Sequence, residues 1–299
     1  RHTLHSPPYI PCRRQPHFFH LLSVIVRTKT PRFPDQTIRK LREKHKYWNL
    51  SDKLLWEIFK DTVLSKMPEN FIFLDAGGGT GRWTQKILDE YPKSKGIIID
   101  ISKDMLNEAK NKMQNDKKYS NRIDFIEYNL ENIDCIETNK FDLSFNFHNV
   151  LGFVENPEKV ISELYRVTKK SGYVVSLVPN LYHNVFFNIF VGDIQLAEET
   201  MKTKKGRFTK DMPAMNMYTP DSIQKIYQQV GLKTNILSGF PITIYPSMQE
   251  TQIEGDSMHV ANILSSKKNF DKIYEMEKKL LHNTDLASRG NQIYIVGQK

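Results

Sequence analysis

From Thr37 the apolar positions recur at helical spacing through Lys46, and again from Leu54 to Met67 behind the N-cap candidates Ser51 and Asp52. Beyond them, short apolar runs alternate with amphipathic stretches. Phe71 to Leu74, Gly96 to Ile99, Ile123 to Tyr128, Phe141 to Phe147 and Tyr173 to Val178 have the length and residue types of strands. Arg82 to Tyr91, Lys103 to Met113 and Pro157 to Lys170 have the period of helices, the last opened by proline at its first position. This alternation predicts a parallel sheet covered on both faces. After Pro179-Asn180 comes an aromatic-rich stretch, Leu181 to Val191, then Gly192 and a polar run to Tyr218. Together these predict a lid inserted at about 181–218, after the fifth strand. Thr219-Pro220 opens a helix to Val230, Lys233 to Ser238 is a strand, Phe270 to His282 a helix, and Gln292 to Val296 the closing strand. The fold class expected is α/β: a doubly wound, mostly parallel seven-stranded, Rossmann-like sheet.

Composition adds a boundary. Residues 1–36 carry six of the 14 prolines, four of the nine histidines and six basic residues against Asp35, a net +5 of the chain's +9. The rest is rich in Lys, Asn and Ile. So sharp a break sets residues 1–36 apart as a tail outside the fold and leaves 37–299 as the domain. Its apolar stretch, Phe18 to Val26, is too short for the ~18–20 residues of a bilayer span, so no membrane segment is expected. Only two cysteines, Cys12 and Cys135, occur among 299 residues, which argues against a disulfide framework or a cysteine zinc site. No metal is expected, and a reducing, cytoplasmic setting is the default.

Chemistry concentrates between the first strand and the helix after it, in Leu74-Asp75-Ala76-Gly77-Gly78-Gly79-Thr80-Gly81. Glycines there let the backbone turn tightly and approach a ligand closely. The dinucleotide pattern G-x-G-x-x-G fails in both registers, since its third glycine would fall on Arg82 or Thr84. What stands is an acid, Asp75, ahead of glycines at alternate positions 77, 79 and 81. Asp100 ends the second strand, where an acid can bond both hydroxyls of a ribose, with Ser102 available to cap the following helix.

The D-x-G-x-G-x-G arrangement resembles the class I S-adenosylmethionine-dependent methyltransferases, over Trp56 to Lys299. The resemblance implies S-adenosylmethionine as cofactor. Backbone N–H groups of Gly77, Gly78, Gly79 and Gly81 would meet its carboxylate, and Asp75 its ammonium. Asp100, with Ile101 beside it, would hold the ribose. Asn129 and Leu130 would clamp the adenine, although the family more often has Asp at the first of these positions. Asn146-Phe147-His148-Asn149 and the stretch to Pro157 are similar to the family's H-x-V-L-x-x-V-x-x-P segment, which would put Phe147 and His148 beside the sulfonium.

Methyl transfer is an in-line displacement that asks the protein for position, dryness and, for a protonated acceptor, a base. No Asn-Pro-Pro-Tyr-like motif follows the fourth strand. Leu55-Trp56, Leu74 to Gly79, His148-x-Val-Leu, Asn180, the run Lys202-x-Lys204-Lys205-x-Arg207 and Gly290 to Lys299 resemble the tRNA 5-carboxymethoxyuridine methyltransferases. Ser51 stands where that family carries an arginine, and Asn149 replaces a small residue. The resemblance implies a tRNA partner and a carboxylate acceptor, already deprotonated at neutral pH. The catalytic candidates are then His148 and Arg207, with Tyr182, His183 and Tyr218 as weaker acceptor-pocket candidates. A small-molecule acceptor is the alternative. No protein partner is evident.

Overall fold

The computed structural model describes residues 46–208, 212–245 and 259–299. The tail at 1–36, the helix expected from Thr37 and the lid residue Lys210 lie outside the described residues.

The first helix, α1 (Lys46–Thr62), buries Tyr47, Leu50, Leu54, Leu55, Ile58 and Phe59, an i, i+3, i+4, i+7 stripe. It starts earlier than Leu54, so Ser51 and Asp52 are interior positions rather than caps. Ser51 is buried and Asp52 reaches across to another helix. Five parallel strands follow: β1 (Ile72–Ala76), β2 (Lys95–Asp100), β3 (Ile123–Glu127), β4 (Phe141–Asn146) and β5 (Thr168–Pro179). Between them run α2 (Arg82–Glu90), α3 (Lys103–Met113), the single turn α4 (Val150–Phe153) and α5 (Pro157–Val167). Ser102 caps α3, and Asn156 caps α5 ahead of its first-turn proline. That helix stops at Val167 rather than Lys170, because Thr168 to Ser171 already belong to the long fifth strand, which bends at the left-handed Ser171.

After β5 the chain forms α6 (Leu181–Phe190), α7 (Ile194–Thr203) and a two-stranded hairpin, β6 (Lys205–Gly206) with β7 (Met215–Asn216). It returns through α8 (Pro220–Gln229), held by a reciprocal capping box between Thr219 and Ser222. β8 (Lys233–Phe240), α9 (His259–Ser265), α10 (Lys267–Leu280) and β9 (Gln292–Gln298) complete the chain.

The sheet order is β3-β2-β1-β4-β5-β9-β8, with β9 antiparallel to both neighbours. One face packs α1, α2 and α3 over Phe73, Phe145, Tyr294 and Val296. The other packs α5 and α8 over Leu74, Val174, Ile293 and Ile295. This is the doubly wound, mostly parallel seven-stranded sheet expected. The order jumps from β1 outward on either side, so β1 and β4 flank the switch point where such sheets leave a crevice beyond their strand ends. The register of Ala76 with Ile99 and of Asp75 with Phe145 brings the glycine loop, Asp100 and His148 to that one edge.

Candidate cofactor and acceptor site

The glycine loop is made by backbone conformation. Gly77, Gly79 and Gly81 have φ of 76°, 53° and 74°, values that side chains rarely adopt. A Cβ on Gly78 would lie 2.6 Å from the Asp75 carboxyl carbon. The loop therefore folds down on Asp75, which is 2% exposed and accepts a hydrogen bond from Thr84 Oγ1 at 2.7 Å. Burial pushes its carboxyl up to about 7 despite the Thr84 hydroxyl, and the nearby Asp100 charge adds to the rise. A buried carboxyl this close to neutrality can take up the charge that a ligand ammonium favours.

The amides are used differently from expectation. Gly77 N–H donates to Ile99 O at 2.7 Å, Gly81 N–H to Gly78 O at 2.9 Å, and Gly79 N–H to Asp100 Oδ2 at 2.9 Å. The loop amides thus brace the turn and tie it to β2, rather than all standing ready for a carboxylate. Asp100 also accepts from Ser102 N–H at 2.8 Å through Oδ1, and burial raises its pKa. Each oxygen keeps a second lone pair, so the side chain can still receive a ribose hydroxyl. Ile101 beside it is 62% exposed at the rim. Asn129 Oδ1 accepts from Glu131 N–H at 2.9 Å, an Asx turn that fixes its orientation, and Leu130 is buried against Ile97 and Ile99. Glu131 in turn accepts from Glu155 and Asn156 N–H at the start of α5.

Phe147 is placed in the core, within an aromatic group of Phe59, Trp83 and Phe145. Its neighbour His148 turns outward, because His148 and Asn149 both have left-handed φ, 56° and 69°. The His148 ring stacks on Trp83, centroids 5.6 Å apart, and its Nε2 meets the Arg82 guanidinium, which also binds the Asp52 carboxylate. A guanidinium only donates, so Nε2 accepts in this arrangement, and the same nitrogen lies 3.6 Å from Asp52 Oδ1. Asp52, Arg82 and Trp83 escaped sequence reading: partners 30 and 66 positions apart leave no local pattern.

The far side of the strand-end edge is lined by amides. Gln292 Nε2 donates to Asn149 Oδ1 at 3.1 Å, Asn180 Nδ2 to Ser288 and Gly290 carbonyls, and Asn291 Nδ2 to His183 Nε2 at 2.7 Å. Burial holds His183 neutral, its pKa down to about 4. Tyr218 donates to Leu151 O and is core, while Tyr182 is exposed. Arg207 is held in the inserted segment, its carbonyl accepting from Asn184 and Asn188 of α6. Its Nε is buried without a partner among the described residues. No group of metal-ligating side chains occurs among the described residues.

A sheet of this order, with a glycine loop over a buried acid and a second acid ending β2, defines a class I S-adenosylmethionine-dependent methyltransferase domain. Residues 73–172 match the family model described as a methyltransferase domain, and the cofactor of that domain is S-adenosylmethionine. The chain is 28% identical over 159 residues to the tRNA 5-carboxymethoxyuridine methyltransferase of Escherichia coli (strain K12), covering 53% of this chain and 59% of that protein. It is 26% identical over 203 residues to a ubiquinone/menaquinone biosynthesis C-methyltransferase of Hydrogenovibrio crunogenus, covering 66% of this chain and 75% of that one. In fold it is similar to a putative S-adenosylmethionine dependent methyltransferase from Listeria monocytogenes, with TM-score 0.55 and 16% identity over 84% of this chain and 99% of that one. No helix among the described residues is long and apolar enough to cross a membrane.

Proposed function

We propose that the whole protein transfers a methyl group from S-adenosylmethionine to a carboxylate oxygen of a modified wobble uridine in tRNA. The cofactor side rests on one observation, the glycine loop braced between buried Asp75 and Asp100. When bound, the cofactor supplies an electrophilic methyl on its sulfonium. Within this reading Gly77, Gly78, Gly79 and Gly81 give the close backbone approach and Asp75 balances the ammonium. Asp100 and Ile101 meet the ribose, Asn129 and Leu130 the adenine, and Phe147 backs the site as a rigid aromatic wall. His148 serves as an orienting group at the rim rather than a proton acceptor, since its Nε2 lone pair is engaged by Arg82.

A carboxylate acceptor suits a site whose nearest imidazole is so engaged, because it arrives deprotonated. The Nε of Arg207, buried without a partner among the described residues, is a donor that an anionic group would satisfy. The similarity to the E. coli enzyme supports the same acceptor. The alternative, a small-molecule O- or N-acceptor, is favoured by the neutral wall of Asn149, Gln292 and His183. Residues 37–299 constitute the catalytic domain in this proposal, with 181–218 as its lid and 1–36 outside it, and the setting is cytoplasmic. Incubation with methyl-labelled cofactor and either bulk tRNA or a small-metabolite extract tests it. Label in the tRNA nucleosides, released by mild alkali as an ester would be, is expected. Label only in a compact metabolite would replace the acceptor and keep the transferase.

A further inference from the structure

The methionine end of S-adenosylmethionine carries an ammonium and a carboxylate, so its site needs one protein group of each sign. Asp75 meets the first. For the second the loop offers less than its glycines suggest, because all four of their amides donate within the protein: Gly77 and Gly78 to Ile99 O, Gly79 to Asp100 Oδ2 and Gly81 to Gly78 O. A cation has to supply what those amides do not. Arg82 is the first residue of α2, directly after Gly81, at the helix end whose dipole favours an anion. The same turn of α2 lies over Asp75, since Thr84 Oγ1 donates to its carboxyl, and the Arg82 charge is close enough to Asp75 to oppose the rise of its pKa. Positive and negative groups thus stand side by side at the loop. Two nearby lysines are otherwise engaged, Lys112 with Glu108 and Thr80 O, and Lys86 over the Trp56 ring at 4.4 Å.

The Arg82 guanidinium already holds a carboxylate. Asp52 reaches across from α1 and takes both terminal nitrogens in a fork, Nη2 meeting Oδ1 at 3.2 Å, while Nη2 also donates to His148 Nε2 at 2.5 Å. Trp83 backs the group, with its ring centroid 4.8 Å from Arg82 Cζ and stacked on His148. The position is therefore shaped for a carboxylate. It is also open to exchange: the Arg82 side chain keeps 41% of its surface and that of Asp52 23%, and ion pairs so exposed to water are weak.

We propose that Arg82 is the receptor for the carboxylate of S-adenosylmethionine and that Asp52 is its built-in competitor, holding the guanidinium until the cofactor carboxylate replaces it. This rests on the cofactor site described above and is independent of the methyl acceptor. The exchange unties α1 from α2 at the rim and leaves Asp52 beside His148, whose Nε2 is 3.6 Å from its Oδ1.

Calorimetry on the full chain with S-adenosylmethionine and with decarboxylated S-adenosylmethionine, which lacks only the carboxylate, tests it. Wild type is expected to prefer the carboxylated ligand by about tenfold or more, as a charge-assisted fork would give. Arg82→Ala should lower S-adenosylmethionine affinity by about tenfold and leave the decarboxylated ligand within about twofold of wild type, which also shows that the variant is folded. Arg82→Lys keeps the charge without the fork and should keep part of the preference. Asp52→Asn should bind S-adenosylmethionine about threefold or more tighter, with the decarboxylated ligand unchanged. A misfolded protein cannot show that gain. If Arg82→Ala retains the wild-type preference, Arg82 is not the receptor; equal losses for both ligands would make it a brace for the turn. Unchanged or weaker binding by Asp52→Asn would overturn the competition. Wild type that binds both ligands equally, or neither, overturns the inference, and in the second case the cofactor site falls with it. Should Arg82→Ala leave both affinities unchanged and only raise the KM of the methyl acceptor, the guanidinium belongs to the acceptor and not to the cofactor.

Discussion

The two halves of the strand-end edge are built by different means. Around β1 and β2 the site is made of backbone: left-handed glycines, amides donating to Ile99 and Asp100, and a loop lying directly on Asp75. Around β5, β9 and α6 it is made of side chains paired across long stretches of sequence, such as Asn291 with His183 and Gln292 with Asn149. A backbone-built site leaves little room for substitution, because Gly77, Gly79 and Gly81 hold left-handed φ and a new Cβ on Gly77, Gly78 or Gly81 would run into Val150, Asp75 or Met113. A wall of amides and rings can exchange members one at a time and alter which acceptor fits. Cofactor binding should therefore be brittle and acceptor choice tunable.

The largest expected effect attacks the brittle half. Gly79→Arg places a side chain at φ 53°, with Met105 Cε 3.1 Å from its Cβ, and should abolish the calorimetric signal for S-adenosylmethionine while the protein still melts cooperatively. Binding at near wild-type affinity would show that the loop is not the cofactor cradle.

Next comes the pH dependence of Asp75. Its folded pKa, about 7, lies above the ~3.9 of an unfolded aspartate, so the protonated form is the one the fold favours. Its contribution to stability is present in full below the unfolded value and is lost as pH rises toward 7. Over that span the loss amounts to about 4 kcal/mol. Asp75→Asn stays neutral and should gain on wild type by a comparable amount between pH 4 and pH 7 in denaturant melts. A pH-independent difference would mean that Asp75 is ionised in the fold. Cofactor binding near pH 6 should also release protons, seen as a heat that changes with the buffer's ionisation enthalpy.

Smaller, Asp100→Ala removes the acceptor for Gly79 and Ser102 N–H and for the proposed ribose hydroxyls. It should weaken the cofactor by about 1–3 kcal/mol. An unchanged affinity would confine Asp100 to bracing the loop. On the tunable half, Arg207→Ala should reduce turnover several-fold and leave cofactor affinity within twofold; equal losses in both would make Arg207 a structural residue. Smallest of all, deletion of residues 1–36 should leave cofactor affinity unchanged and shift the melting temperature by about 2 °C or less. A fall of many degrees would bring the tail into the domain.

Much of the cofactor half was legible because its determinants are local. The glycines at 77, 79 and 81 require left-handed backbone, Ser102 and Asn156 cap the helices beside them, and β-branched runs such as Ile97-Ile98-Ile99 set the strands. Each of these acts over a few residues. The ends of elements were less legible: α5 yields to β5 at Thr168 because pairing with Phe141 overrides the helical period of Thr168 to Lys170. The bracing of the loop was hidden for the same reason, since Gly77 N–H donates to Ile99 O and Gly79 N–H to Asp100, both on the next strand.

By itself, then, the sequence determined the seven strands of the sheet, the helices α2, α3, α5 and α8 beside them, the glycine loop and the acid at the end of β2, because propensity, capping and turn chemistry operate between near neighbours; the helices α6 and α7 and the β6–β7 hairpin lay hidden in what reads as a polar lid. Only the tertiary structure decided the rest. It set Arg82 between Asp52 and His148, sank Phe147 into the core, turned the aromatic face of α6 outward and put Gln292 beside Asn149. Those pairings depend on which strand ends meet at the edge of a folded sheet, and no local pattern in the chain encodes that.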